Sequence, residues 1–364
     1  MIRCLFLLFS GGGVVIYGKS YIIICKRFHY KGAMMVGERR KRWLFTVFFL
    51  GCLASLAATV YFGTKAFYVE PVNSEENETY QTRAALIMEE AGNPYWEQIK
   101  EGAVAAGEEA GIYIETYGPS KAGKDEQLET MNRMIESNVD AIITQGIDDP
   151  VFQELVQKAL EKGVPVITVD SDVPESGRRA YIGTDNYEAG VSAGEELLRN
   201  TEGMQHVGIV SGSADTVNQK ERVEGFQDTV EASGRVEIKD IEYSGISEIG
   251  AAQATYSLLK EEPDITALYG TSALDAIGIA QGMEEIEGAG ELYVIGFDTL
   301  PETVQLLEEG TIDATVRQHP VQMGEQAVYD VARLNQQQYV PSVQHTETVI
   351  WRASDAAREG GGER

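Results

Sequence analysis

The chain has 364 residues, enough for about two domains of ordinary size. It carries 57 Asp and Glu residues against 30 Lys and Arg, and the excess of acid lies in residues 74–364, where 55 acidic residues face 20 basic ones. An acidic surface repels a phosphate backbone, so this composition disfavours nucleic-acid binding. The first 73 residues have the opposite balance, with 10 basic and 2 acidic residues.

A charge-free run of twenty residues, 43–62 (WLFTVFFLGCLASLAATVYF), is long enough to cross a bilayer as a helix. Four basic residues, 39–42, come directly before it, which predicts residues 1–42 on the cytoplasmic side and the rest of the chain outside. The sequence therefore predicts a transmembrane anchor over 43–62, a linker over 63–81, and an extracellular remainder on a bacterium of the Gram-positive type.

Two details of this end stay open. The run Phe49-Leu50-Gly51-Cys52 resembles a lipobox, which makes Cys52 a candidate lipidation site, but apolar sequence continues ten residues beyond it and favours an uncleaved anchor. Translation could begin at Met34 or Met35 instead of Met1, because a basic segment (VGERRKRW) follows them and residues 1–33 fit neither a signal nor a domain. All three cysteines lie before residue 53, so the exported part has no disulfide framework.

From residue 82 onward, apolar runs alternate with stretches of helical periodicity. The first half has predicted strands at 84–88, 112–117, 141–144 and 164–170, with helices at 95–110, 126–137 and 151–162. A strand at 180–184 and a helix at 187–199 come before the second half, which has strands at 207–210, 237–243, 266–269 and 292–297, with helices at 220–232, 247–260 and 274–283. A tail adds helix 301–309, strand 312–317, helix 321–334 and strand 347–351, and residues 353–364 are predicted to be disordered. This alternation predicts two doubly wound parallel-sheet lobes with a ligand cleft between them.

Two aspartates close apolar strands in the two halves of the sequence. Asp170 follows the run 164–169, and Asp298 follows the run 292–297. Open α/β sheets bind ligands at the carboxyl ends of their strands, so both carboxylates are candidate ligand contacts. The alternative is that each aspartate caps the loop or helix that follows it.

Several short motifs, in their order along the chain, resemble the ribose/galactose-type periplasmic sugar-binding proteins, whose core is shared with lactose-repressor-like regulators. The motifs are NPYW (93–96), GVPVITVD (163–170), YIGTDN (181–186) with AG (189–190), KERVEGF (220–226), IGFD (295–298) and VRQHP (316–320). The resemblance covers about residues 82–352 and implies the type 1 periplasmic-binding fold, with lobes joined by crossover hinges. It predicts an N-terminal lobe of 82–185 plus about 299–318, and a C-terminal lobe of 186–298 plus about 319–352.

The resemblance also implies a set of sugar ligands from both lobes. Carboxylate, guanidinium and amide groups suit pairs of sugar hydroxyls, and a flat aromatic face suits the C–H side of the ring. The implied contacts are Asn93, Tyr95 and Trp96 on the first loop, Asp170 and Arg222 from opposite lobes, and Asp298 and Gln318 near the crossovers. Alternatives remain for some of them: Tyr95 or Trp96 as a core residue at the helix start, Arg222 paired with Glu221 or Glu224 on its own helix, and Gln318 as a plain hinge residue.

The sequence departs from the family pattern at two places. Ser171 follows Asp170 where pentose-binding relatives often carry an arginine, and the usual Asn-Asp after the strand 266–269 is replaced by Thr271-Ser272-Ala273. We take Ser171 as a candidate contact, with Ser272 and Asp275 as substitutes for the missing pair. Ribose itself becomes a doubtful ligand.

Other chemistries find little support in the exported part. Its three histidines, at 206, 319 and 345, are not at metal-ligand spacing, and no serine stands in a G-x-S-x-G elbow. Asp149, before Pro150, is expected to cap a helix. The sequence therefore predicts a non-enzymatic receptor, without catalytic residues, metal or cofactor, that closes around a monosaccharide or polyol. Its predicted partner is the permease of an ABC importer or, alternatively, a sensor histidine kinase; a repressor-like core or an enzyme ranks below both.

Overall fold

A computed structural model of the chain describes residues 43, 46–51, 53, 55, 80–286 and 292–359. The chain divides into two compact units, Met1–Val72 and Asn73–Arg364. The described residues of the first unit are helical and exposed. Among the described residues, none forms a helix that is long and apolar enough to cross a membrane. Most of the predicted anchor over 43–62, together with the linker and the candidate start sites, lies outside the described residues.

The second unit contains two six-stranded sheets, and the first of them is entirely parallel. Its strand order is β11-β5-β4-β3-β1-β2. These strands are β1 (Thr82–Ile87), β2 (Ile112–Tyr117), β3 (Ala141–Gln145), β4 (Val166–Val169), β5 (Ala180–Gly183) and β11 (Val343–His345). The helices of this lobe are α1 (Pro94–Ala110), α2 (Lys124–Glu136), α3 (Pro150–Glu161) and α9 (Pro320–Asn335), with a short 3-10 turn at Pro174–Ser176.

The second sheet repeats the arrangement, with strand order β12-β10-β9-β8-β6-β7. Its strands are β6 (Gln205–Ser211), β7 (Val236–Tyr243), β8 (Ala267–Gly270), β9 (Tyr293–Phe297), β10 (Ala314–Arg317) and β12 (Val349–Trp351). All are parallel except β12, which runs antiparallel to β10. The helices of this lobe are α4 (Asn186–Asn200), α5 (Val217–Glu231), α6 (Glu248–Glu261), α7 (Ala273–Glu284), α8 (Pro301–Glu309) and α10 (Ala353–Glu359). The prediction of two parallel-sheet α/β lobes is confirmed.

Close helix packing sets the position of α5, which carries part of the candidate site. A Cβ atom at Gly225 would lie 2.0 Å from the carbonyl oxygen of Tyr187 on α4, and one at Gly190 would lie 2.2 Å from the carbonyl oxygen of Arg222. Only glycine at these two positions lets α4 and α5 approach so closely. Arg222 is therefore held at a fixed depth beside the second sheet.

The predicted lobe boundaries are wrong for the last part of the chain. Strand β10 pairs with β9, so residues up to 317 stay in the C-terminal lobe. Helix α9 packs against α1, and β11 pairs with β5, so this stretch belongs to the N-terminal lobe. Only β12 and α10 return to the C-terminal lobe. Periodicity identified these elements but carries no information about which sheet a strand joins.

The prediction of a disordered tail over 353–364 is also wrong for its first seven residues, which form α10. Before this helix, Arg352 donates through Nε to Glu196 Oε1 at 2.8 Å, and its backbone N–H donates to Asp355 Oδ2 at 3.1 Å. Ala356 is buried against the lobe. The Arg352–Glu196 ion pair and the burial of Ala356 hold this segment in place, although its composition alone is typical of disorder. Residues 360–364 lie outside the described range.

Candidate functional site

The two aspartates predicted from strand ends occupy equivalent positions in the two sheets. Asp170 follows β4 and Asp298 follows β9, which are the third strands in the two sheet orders. Both adopt the left-handed backbone region, with φ of 66° and 65°, which aspartate tolerates better than most residues. Both side chains are almost fully buried, and their carboxylates accept hydrogen bonds from side chains at the cleft. The contacts of these carboxylates thus favour a role in the cleft over capping.

The carboxylate of Asp170 joins the two lobes directly. Its Oδ1 accepts a hydrogen bond from the Tyr95 hydroxyl at 2.8 Å, and its Oδ2 accepts one from Asn218 Nδ2, also at 2.8 Å. Tyr95 begins α1 in the same lobe as Asp170, whereas Asn218 lies on α5 in the opposite lobe. Burial raises the pKa of Asp170, and the charge of Arg222 and the Tyr95 hydroxyl oppose that rise.

Asp298 is linked to the crossovers through Gln318. Gln318 Nε2 donates to Asp298 Oδ1 at 2.9 Å, and Gln318 Oε1 accepts hydrogen bonds from Thr184 Oγ1 at 2.6 Å and from Arg222 Nη2 at 3.1 Å. The chain crosses from one lobe to the other at three segments. Thr184 and Gln318 lie at two of them. Burial raises the pKa of Asp298 to about 7, although Arg222 and Gln318 both favour its ionised form.

Arg222 is oriented by protein groups on several sides. Its Nε donates to Asn186 Oδ1 and its Nη1 to the Thr271 carbonyl oxygen, both at 2.9 Å. The guanidinium lies 3.9 Å from the centre of the Phe297 ring. Only 2% of Arg222 is exposed, so its contacts are with the cleft and not with Glu221 or Glu224 on its own helix, the alternative considered above. The positive charge is therefore preorganised between the two aspartates.

These side chains surround one cavity between the lobes, whose empty space is about 450 Å³ including its mouth. Eight of the ten predicted contacts line it: Asn93, Tyr95, Trp96, Asp170, Arg222, Ser272, Asp298 and Gln318. We call this space the inner cavity.

The other two predicted contacts, Ser171 and Asp275, do not line the inner cavity. Ser171 is fully buried one residue beyond Asp170. Asp275 instead accepts a hydrogen bond from the backbone N–H of Ser272 at 2.8 Å, in the first turn of α7. Burial raises the pKa of Asp275 to about 6, so the residue is best described as part of the support of the helix start.

The aromatic pair on the first loop belongs partly to the core. Asn93 caps α1 by accepting from the backbone N–H of Tyr95 at 3.0 Å, which fixes both rings at the helix start. The rings of Tyr95 and Trp96 meet edge to face, with centroids 6.4 Å apart. Trp96 is 1% exposed and packs in the core cluster that includes Ile99. The expectation that at least one of them is a helix-start core residue thus fits Trp96, although both also contribute to the cavity wall.

Further polar residues of the cavity were not predicted from the sequence: Glu89, Gln145, Thr216, Asn218 and Gln219. Glu89 follows β1 and Gln145 ends β3, so the strand-end rule that found the aspartates could also have found these two. Asn218 lies one helical turn before Arg222 on α5, on the same face. Burial and the charge of Asp170 raise the pKa of Glu89 to about 7.

Within residues 80–286 and 292–359, no group of three or more His, Cys, Asp or Glu residues is placed to hold a metal ion. Asp149 caps α3 as expected, accepting from the Val151 N–H at 2.9 Å, and pairs with Lys124 at 3.0 Å. The arrangement as a whole presents carboxylates, one guanidinium and amides from both lobes, next to apolar side chains. It is suited to holding a polar, uncharged small molecule by many hydrogen bonds.

A family model described as a periplasmic binding protein domain matches residues 84–338. Among curated proteins, the D-ribose/D-allose-binding protein of Pseudomonas aeruginosa is 29% identical, over 76% of this chain and 88% of its own length. Among solved structures, GanP, a glucose-galactose binding protein from Geobacillus stearothermophilus, is 43% identical with a TM-score of 0.72, covering 75% of this chain and 98% of GanP. A structure described as the XylFII–LytSN complex is 33% identical with a TM-score of 0.72, covering 75% and 98% of the two chains. The chain therefore belongs to the periplasmic binding protein domain family and, by these relatives, to its sugar type, whose members are non-enzymatic solute-binding proteins.

Proposed function

We propose that this protein is an extracellular receptor that binds one monosaccharide in the inner cavity by closing its two lobes around it. The observation that carries the proposal is that the cavity is lined from both lobes by groups suited to sugar hydroxyls, with Asp170 on one side and Arg222 on the other. A ligand biases lobe closure only through its differential affinity for the closed form, so contacts from both lobes are what the function requires.

A hexose such as glucose or galactose is the ligand class that we favour. The 43% identity to GanP, a glucose-galactose binding protein, supports it. The absence of an arginine after Asp170 and of an Asn-Asp after β8 argues against a pentose-type pattern of contacts. Trp96 and Leu274 offer apolar surface for the C–H side of a pyranose ring.

We further propose that residues 43–62 anchor the receptor in the membrane, because this charge-free run is long enough to span a bilayer and follows four basic residues. The receptor would then present its closed lobes to the permease of an ABC importer. A sensor histidine kinase is the second candidate partner, and the similarity to XylFII, which was solved in a complex with LytSN, favours it. An uncleaved anchor is compatible with either output.

The proposal is tested by calorimetry and thermal shift on the purified full-length chain with D-glucose, D-galactose, D-ribose, D-allose and arabitol. At least one hexose should bind and raise the melting temperature, because a ligand that binds only the native form stabilises it. No response to any of these sugars would overturn the sugar-binding function.

Deletion of the gene for this protein distinguishes the importer role from the sensor role. Loss of uptake of the radiolabelled sugar supports the importer role. Intact uptake combined with loss of a sugar-dependent transcriptional response supports the sensor role.

A further inference from the structure

A second and larger space adjoins the inner cavity. Its empty volume is about 1040 Å³, more than twice that of the inner cavity. The two spaces share four lining residues, Glu89, Gln145, Thr216 and Ile246, so they are direct neighbours. We call this second space the outer chamber.

The outer chamber exists although the lobes are already in contact. Asn218 and Asp170 form a hydrogen bond across the cleft, and Leu274 and Leu300 of the C-terminal lobe pack in one cluster with Met88 and Trp96 of the N-terminal lobe. The chamber is therefore not simply the gap left by separated lobes. Like the inner cavity, it is walled from both sides, by Gln145 in the N-terminal lobe and by Thr216 and Ile246 in the C-terminal lobe.

Three buried polar atoms of the residues that line this chamber have no hydrogen-bond partner among the described residues. Gln127 and Gln145 are each only 3% exposed, yet Gln127 Nε2 and Gln145 Oε1 have no hydrogen-bond partner among the described residues, and the same holds for Thr216 Oγ1. A buried polar atom left without a partner costs about 1–3 kcal/mol, so such atoms need an explanation. Together these atoms are one donor, one acceptor and one hydroxyl. The hydroxyl groups of a sugar unit can both donate and accept, so they can form hydrogen bonds with all three.

The charges at the chamber favour a neutral ligand. Two lysines line it, Lys124 and Lys220, but so do Glu89, Asp148 and Asp215. Lys124 is in addition paired with Asp149 at 3.0 Å. A phosphorylated or acidic sugar would therefore meet more negative than positive charge.

We propose that the outer chamber is a second sugar subsite, so that the protein takes a disaccharide with one unit in the inner cavity and the linked unit in the outer chamber. This inference rests on the proposed function, because the first sugar unit occupies the inner cavity, and it extends the ligand by a second, linked unit. Gln127 acts only on the second unit, because it lines the outer chamber alone. Gln145 and Thr216 lie at the junction and contact the region of the glycosidic bond.

The test compares monosaccharides with disaccharides on the full-length chain by calorimetry. The probes are D-glucose, D-galactose and their α-1,4- and β-1,4-linked disaccharides, each also measured in competition with the bound monosaccharide. At least one disaccharide should bind as tightly as its monosaccharide or more tightly. Monosaccharide binding without binding of any disaccharide would overturn the subsite and leave the proposed function standing, whereas failure of all sugars would remove both.

Two variants locate the second unit. Gln127→Leu should weaken disaccharide binding about fivefold, the effect of one lost hydrogen bond, and change monosaccharide affinity less than twofold. Gln153→Leu, on α3 and outside the chamber, is the matched control and should change neither. Ala122→Phe places a ring in the partly exposed chamber wall and should block the disaccharide while sparing the monosaccharide. If both Gln127→Leu and Ala122→Phe bind the disaccharide like the unmodified chain, the assignment is wrong.

Discussion

Asp170 and Asp298 show how one backbone arrangement serves two different purposes in the two lobes. Each follows the third strand of its sheet and each has a left-handed backbone, so sheet geometry delivers both carboxylates to the same cleft. Their hydrogen bonds differ, however. Asp170 accepts from Asn218 of the opposite lobe, whereas Asp298 accepts from Gln318, at a crossover between the lobes.

Equivalent positions in the two sheets therefore have different roles. One of the two side-chain hydrogen bonds that the Asp170 carboxylate accepts comes from the opposite lobe, so this carboxylate is coupled to closure. Asp298 is held at the hinge by Gln318, and burial raises its pKa to about 7. Asp298 therefore keeps more hydrogen-bonding capacity for a ligand than Asp170 does.

The largest effect is expected for Asp298→Ala. Loss of a carboxylate that accepts strong hydrogen bonds from a ligand should lower hexose affinity more than 100-fold, about 2.7 kcal/mol or more. Asp149→Ala is the control, because that carboxylate caps α3 outside the cavity. It should cost about 1 kcal/mol of stability and leave affinity within twofold. A hexose affinity for Asp298→Ala within tenfold of the unmodified chain would contradict the assignment of Asp298 to the ligand.

The second effect is on the pH dependence of stability without ligand. Because burial raises the pKa of Asp298 and Glu89 to about 7, the folded chain retains protons that the unfolded chain releases. The free energy of unfolding should therefore fall as pH rises from 5 to 7, by at most about 1.4 kcal/mol per pH unit for each group. Urea unfolding of Asp298→Asn across this range should show a shallower fall.

Glu136→Gln is the matched control for this pH experiment. Lys158 and Lys162 lower the pKa of Glu136 to about 2, so its contribution to stability is complete above pH 5 and disappears only as pH falls towards 2. Its replacement should leave the slope between pH 5 and 7 unchanged. An unchanged slope for Asp298→Asn would instead show that the Asp298 carboxylate is ionised throughout this range.

The smallest effect concerns lobe closure. Asn218→Ala removes the hydrogen bond across the cleft and should shift the unliganded chain towards open forms about fivefold, the value of one hydrogen bond. Tyr95→Phe removes the other hydrogen bond of Asp170, which lies within one lobe, and should leave closure unchanged. A distance between spin labels on the two lobes distinguishes the variants. Equal opening in both would refute the division of roles between the two bonds.

Much of the fold could be predicted because a parallel sheet covered on both faces requires apolar strands alternating with amphipathic helices. Strand β11 was missed, since it has three residues and none of them is buried. The lobe membership of β10 and α9 was predicted wrongly, because strand pairing is decided by contacts between residues far apart in sequence.

The candidate site, like the fold, could be predicted only in part. Asp170, Asp298 and Arg222 were identified by their strand ends and family motifs, and the structure brings them to one cavity. Ser171 and Asp275, chosen because they stand near the expected positions, do not line it. Glu89 and Asn218 were missed. Glu89 follows the end of β1, and Asn218 lies on the same face of α5 as Arg222, so both positions are typical of cleft residues.

The acidic body, the kinds of elements and the residues that end the strands can be read from the amino-acid sequence, because they depend on composition and on patterns of period 2 and 3.6. Three features depend on tertiary packing: the lobe that each late element joins, the hydrogen bond between Asn218 and Asp170 across the cleft, and the burial that raises the pKa of Asp298. The reason is physical: a local pattern specifies which face of an element is apolar, whereas pairing across the cleft and loss of solvent arise only when distant segments pack together.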